Sequence, residues 1–214
     1  AGLSINNEES ARRNLIAETA DSFDFDHFKD NARSDWEKHL DRIRIEGGTK
    51  AERINFYTAL YHSQVVPNTI SDADTASRLF STFSTWDTFR AWHPMMTLLD
   101  TALVDEMVNS LLYLYDIHGE LPLWPLSTGE TGTMIGYHST SIIADAYLKG
   151  IRGFDAEKAF EAMKISAAKN KKGAAEYIAQ GFIPANQKKE SVSCLLEFAY
   201  DDWCICLLYT SPSP

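Results

Sequence analysis

Long hydrophobic runs are missing from the 214-residue chain, and so is any excess of positive charge. No apolar stretch approaches the roughly 18 residues that a membrane span requires. The start AGLSINNEES has neither the basic nor the apolar segment of an export signal, so any such signal is expected upstream of Ala1. Lys and Arg total 20 against 30 Asp and Glu, a formal charge of -10 with no basic cluster, which argues against nucleic acid or an anionic membrane as partner. A neutral or cationic ligand fits better. Cysteine is scarce and odd in number, and the spacing of Cys194, Cys204 and Cys206 matches neither a zinc motif nor a disulfide scaffold. On one helix, a rise of about 1.5 Å per residue holds Cys194 and Cys204 about 15 Å apart, beyond the reach of a disulfide.

Strand signal is also scarce, confined to short pieces at Ile43 to Ile45 and Gly2 to Ile5, which leaves an all-α fold class. Two charged stretches, Ser10 to Ala20 and Phe25 to Arg42, read as linker helices before Gly47-Gly48 breaks the pattern. Thr49 with Glu52 forms a capping box for a helix to about Val66, whose stripe is Ile54, Tyr57, Leu60, Tyr61 and Val65. Another helix begins near Ser84, and Pro94 is expected to end or kink it. Leu103, Val104, Met107, Val108, Leu111, Leu112 and Tyr115 mark a helix from Thr101 to His118, closed by Gly119. A loop from Glu120 to Gly132 leads into a helix from about Met134 to Lys149, capped by Gly150. Asp155 caps the next helix, and Val192, Leu195, Leu196, Ala199 and Trp203 mark the last one. Loops alternate long and short, as in stacked helical hairpins. From Cys206 to Pro214 the helical pattern stops, and these residues resemble translated sequencing-adapter sequence.

Three segments carry more chemistry than a structural helical domain needs: Ser84 to Arg90, Leu121 to His138 and Ala199 to Trp203. Trp86, Asp87 and Arg90 supply what a sugar pocket uses, an aromatic face for C–H groups and charge-assisted bonds for hydroxyls. The plainer alternative makes Trp86 and Phe89 core residues and Asp87–Arg90 an exposed pair. Glu130 stands between Gly129 and Gly132, where a loop can display its carboxyl group in a cleft beside Trp124, Met134 and Tyr137. An ordinary first-turn glutamate is the alternative there. His138 either binds a hydroxyl or is a satisfied structural histidine.

In order along the chain, Phe56 to His62, Trp86 to Arg90, Glu130-Thr131 with Met134 to His138, Ile143 to Gly150 and Tyr200 to Trp203 resemble blocks of the family 92 glycoside hydrolases, exo-acting α-mannosidases of bacteria. The resemblance implies a β-sandwich followed by an (α/α)6 barrel, of which residues 49–205 would supply about three hairpins. Residues 1–48 would be the end of the sandwich and its linker helices, and 206–214 a foreign tail. It implies a calcium ion on the sugar, inverting hydrolysis of mannose-containing glycans, and a secreted, periplasmic or cell-surface location. Glu130 takes the general-acid position. Trp86, Asp87, Arg90, Trp124 and His138 take substrate-binding ones, and the general base is expected downstream of Tyr200 to Trp203. Gly129 and Thr133 depart from the family's usual Asn and Cys, the stretch Ser71 to Ser77 is short, and Pro184-Ala185-Asn186 replaces a His-Glu pair associated with α-1,2 linkages. A trehalase-like (α/α)-barrel enzyme and a non-catalytic helical interaction module are the competing readings of the same content.

Overall fold

The computed structural model describes residues 1–19, 24–169 and 172–210. It is mainly helical, as the sequence periodicity predicts, and it forms two compact units that divide after Ala76. The sequence reading divides the chain after Gly48; the helix that opens its second part lies within the first unit instead.

The first unit contains α1 (Glu8–Thr19), α2 (Phe25–Leu40), α3 (Lys50–His62) and the short β1 (Asn68–Thr69). Thr49 and Glu52 make the expected capping box, but α3 ends at His62, one turn earlier than expected. Its stripe is also thinner than its sequence implies: Leu60 is buried, whereas Ile54, Tyr61 and Val65 are exposed. Trp36 and Tyr61 pack edge to face, ring centroids 4.5 Å apart, and join α2 to α3. Neither expected strand forms, because side chains take the carbonyls that a ladder would use. Asn14 donates to the Leu3 carbonyl at 2.7 Å, and the Tyr57 hydroxyl donates to Ile43 at 3.1 Å. Ala20, the expected end of the first charged helix, lies outside the described residues.

Asp72 ties this unit's termini together. Its carboxylate accepts from Asn6 Nδ2 at 2.7 Å and Asn14 Nδ2 at 2.8 Å, while Asn14 Oδ1 accepts from the Ala73 N–H at 2.9 Å. Hydrogen bonds from Asn6, Ser4 and Asn14 lower its pKa from 3.8 to about 2.

The second unit contains β2 (Phe80–Ser81), α4 (Thr85–Thr88), α5 (Trp92–Leu99), α6 (Thr101–His118), β3 (Pro125–Leu126), β4 (Gly129–Glu130), α7 (Ser139–Leu148), α8 (Ala156–Lys169), α9 (Ala174–Gln180) and α10 (Ser191–Thr210). Helix α6 is its centre. Val104, Met107, Val108, Leu111 and Leu112 are almost fully buried and pack against Ile142 and Ile143 of α7 and Ala162 and Met163 of α8. Each such Leu, Val or Met side chain contributes about 1.5–3 kcal/mol over its exposed state. Asp100 caps α6 through the Leu103 N–H, and Gly119 ends it at φ 72°, a left-handed cap that L side chains resist.

Several boundaries differ from the sequence reading for local reasons. Pro94 does not break a helix, because it lies in the first turn of α5, where its missing N–H has no helical acceptor to serve. The break falls at Arg90 and Ala91. Helix α7 starts at Ser139 and not near Met134, because Met134 and Gly136 both have positive φ. On α10 the buried residues are Ser191, Cys194, Phe198, Asp201 and Cys204, while the expected stripe members Val192, Leu196 and Trp203 are exposed. Helix continues through Cys206 to Thr210, against the expected break, and Ser211 to Pro214 lie outside the described residues. The three cysteines are free.

The low pKa of Asp72 gives a pH-dependent contribution to stability. A carboxylate whose pKa is depressed on folding stabilises fully above its unfolded value and loses that contribution as pH falls through the folded one. Asp72→Asn should therefore lower the thermal midpoint at neutral pH, and the difference from wild type should vanish as pH falls from 3.8 to about 2. A difference independent of pH across that window would show that the charge on Asp72 contributes nothing.

Candidate active site

The loop before β3 is pinned residue by residue. The Leu121 N–H donates to Ser166 Oγ at 2.7 Å, the Ser139 hydroxyl donates to the Pro122 carbonyl, and the Thr85 N–H and hydroxyl both donate to the Leu123 carbonyl, at 3.1 and 2.8 Å. Buried backbone polar groups require partners, so these side chains fix the loop's path across α4, α7 and α8.

Glu130 closes this structure from below. Strands β3 and β4 pair antiparallel, Pro125 opposite Glu130 and Leu126 opposite Gly129, a hairpin within what the sequence presents as a loop. The pairing turns the Glu130 carboxylate back onto its own segment. Oε2 accepts from the N–H groups of Leu123 at 2.6 Å and Trp124 at 3.2 Å, and Oε1 accepts from Gly132 at 2.6 Å. Where the sequence suggests apolar neighbours, the structure puts three backbone amides. Met134 is exposed, and Tyr137 is buried with its hydroxyl 2.5 Å from Asp202. Lys172 donates to the Met134 carbonyl; burial is the main influence on its pKa and lowers it, while the charge of Glu130 opposes the shift.

Trp86, Arg90 and His138 come together on a residue the sequence reading does not single out, Glu197 of α10. The Trp86 indole N–H and the Arg90 Nη2 both donate to Glu197 Oε1, each at 3.0 Å. The Arg90 guanidinium carbon lies 4.9 Å from the centre of the Trp86 ring and 4.8 Å from that of Phe89, within cation–π range of both. Phe89 stacks on His138 with centroids 4.0 Å apart and planes at 12°. His138 is fully buried. Its Nδ1 lies 2.9 Å from Asp201 Oδ1, and its Nε2 lies 3.1 Å from Glu197 Oε2 at an angle that makes no hydrogen bond.

Asp201 is fully buried as well, and burial raises its pKa against the opposing bonds from His138 and the Tyr137 N–H at 2.7 Å. Burial, then Asp202, also raises the Tyr137 pKa. Gly136 makes this packing possible: its φ is +76°, and a Cβ there would stand 2.4 Å from His138 Nε2. Beside the cluster a cavity of about 170 Å³ is lined by Arg90, His93, Ser141, Asp145 and Tyr200 among others. His93 is fully buried there, neither ring nitrogen has a partner, and burial lowers its pKa to about 3, so it is neutral.

The structure therefore gathers Trp86, Arg90 and His138 into one cluster and Glu130 with the backbone of Trp124 into a second, with Leu123 as the link: its N–H goes to Glu130 and its carbonyl to Thr85. Asp87 is exposed on α4, its N–H capped by Ser84 Oγ at 3.3 Å. Glu197 was detectable in principle. It precedes Asp201 by four residues on α10, which puts two acids on one helix face, an arrangement that calls for a partner between them.

A mostly helical scaffold on which aromatic, guanidinium and carboxylate side chains come together is what a helical carbohydrate-active enzyme offers its sugar. Residues 10–210 match the Glycosyl hydrolase family 92 catalytic domain, and the chain belongs to that family. A family 92 α-mannosidase of Bacteroides thetaiotaomicron superposes with a TM-score of 0.87 at 34% identity, covering 94% of this chain and 29% of that one. An inverting mannosidase of the same family from Bacteroides thetaiotaomicron VPI-5482 gives a TM-score of 0.87 at 33% identity, covering 94% and 30%. A protein of Arthroderma benhamiae named an uncharacterized secreted glycosidase is 26% identical over 97% of this chain and 27% of its own length. The chain thus spans less than a third of each relative. No helix among the described residues is long and apolar enough to cross a membrane.

The residues present do not fit a calcium site by themselves. Among the described residues, no three His, Cys, Asp or Glu side chains come together to hold a metal ion, whereas calcium takes about six to eight oxygens. Titration calorimetry on this chain should accordingly show weak or no calcium binding, and tight one-to-one binding would show that oxygens of this chain suffice to hold the ion. For the His138 cluster, Gly136→Ala should cost about 2 kcal/mol or more, from a strained backbone plus displacement of the ring. Unchanged urea unfolding would show that His138 is free to move.

Proposed function

We propose that the protein to which this chain contributes is an exo-acting α-mannosidase that inverts the anomeric centre, acts on mannose-containing glycans outside the cytoplasm, and uses Glu130 as general acid. The observation that carries the reading is the match of residues 10–210 to the family 92 catalytic domain. Its support is the close superposition on two enzymes that are named mannosidases, one of them inverting. The helices of the second unit then form part of an (α/α)6 barrel, and a calcium ion is held chiefly by groups outside this chain. The secreted relative supports an extracellular location.

In an inverting glycosidase one carboxyl group protonates the leaving oxygen while a second activates water about 6.5–9.5 Å away. Glu130 is given the first task by its resemblance to the family's acid position; both of its oxygens accept from backbone amides here, so one of those bonds gives way when the carboxyl group carries the proton it donates. Trp86 and Arg90 offer a ring face and a hydroxyl donor, Asp87 is exposed and accessible to a hydroxyl, and Trp124 flanks the acid through the backbone that holds it. His138, buried between two acids, orients this surface from behind.

In the longer protein, Glu130→Gln should lower turnover about a hundred- to ten-thousandfold on a mannoside with a poor leaving group. The loss should be much smaller on an activated aryl mannoside, whose leaving group needs little protonation. Equal losses on both substrates would assign Glu130 to binding or folding.

A further inference from the structure

Short helix α4 cannot hold its own orientation. It has four residues, and its start is fixed by Thr85 on the Leu123 carbonyl. Beyond that point its side chains reach α10 through Trp86, and Arg90 just past its end does the same. Both donors converge on one oxygen of Glu197, whose side chain is 17% exposed. Trp86 is half-buried and Arg90 half exposed, so the ring and the guanidinium keep an open side while the carboxylate grips them from the other. The second oxygen faces His138, on which Phe89 stacks.

We propose that Glu197 is a positioning residue of the sugar site: by accepting from Trp86 and Arg90 on one oxygen, it fixes the aromatic and cationic surface on which a mannose ring seats. This rests on the mannosidase reading above and deepens it. The oxygen that accepts both donors belongs to a carboxylate, and one of the donors is a cation. Charge-assisted bonds are about twice as strong as neutral ones, and this one ties one edge of the half-exposed Arg90 head to α10. The contacts described for Glu197 are with Trp86, Arg90 and His138 and not with Glu130, so its loss should weaken sugar binding more than the chemical step.

The test has two arms. In this chain, the Trp86 indole proton, assigned by its disappearance in Trp86→Phe, should exchange with solvent at least about tenfold faster in Glu197→Ala than in wild type, with Glu197→Gln between them. In the longer protein, Glu197→Ala should raise KM for an α-mannoside about ten- to a hundredfold with a smaller change in kcat, and Glu197→Gln should recover part of the loss, because its amide oxygen still accepts. Unchanged indole exchange, or a fall in kcat at constant KM, overturns the proposal. If Glu197→Ala does not fold, Glu197→Gln decides alone: a KM equal to wild type overturns it, a raised KM with kcat little changed supports it. Wild-type protein that turns over no mannoside defeats the functional reading, whereas wild-type turnover with KM unaffected by either variant defeats this proposal only.

Discussion

The His138–Asp201 pair sets the geometry of the second unit. An imidazole and a carboxylate removed from water are costly unless they satisfy each other, and here both are fully buried at a separation of 2.9 Å. That requirement draws the segment before α7 onto α10. It places Tyr137 so that its N–H also reaches Asp201, leaves room only for glycine at position 136, and delays the start of α7 to Ser139. Phe89 then covers the histidine ring, and Arg90 and Trp86 follow Phe89 to Glu197. Removing either member of the pair would leave the other buried without its partner.

Much of the scaffold was legible because its signals are local. The capping box at Thr49, the helix from Thr101 to His118 with its glycine cap, and Asp155 ahead of α8 need only neighbours in sequence, and all three form as read. What was not legible depends on partners far along the chain. Helix α7 is shortened by a histidine that must reach Asp201, 63 residues away. Likewise α10 turns Cys194 and Phe198 inward against Tyr137, Ala174 and Ile183 and Asp201 inward against His138, and leaves Val192, Leu196 and Trp203 outside. Pro94 misled because a proline in a first turn and one in a helix interior look alike until the boundary is known.

The site shows the same division. Residue types pointed to Trp86, Arg90, Glu130 and His138, since indole, guanidinium, carboxyl and imidazole in turn-rich segments are unusual in a structural helix. Their relations were hidden. Glu197 reads as one more helical glutamate until the fold shows that it joins α4 to α10. Glu130 sits among backbone amides because the Pro125–Leu126 and Gly129–Glu130 strands fold it back, and two-residue strands leave no alternating pattern to read.

The central claim is that these helices belong to an inverting α-mannosidase, and its most direct test is the anomer released first. When the longer protein cleaves an α-mannoside, proton NMR in the first minutes should show β-mannose ahead of mutarotation. First appearance of α-mannose, or no release of mannose at all, would contradict the account.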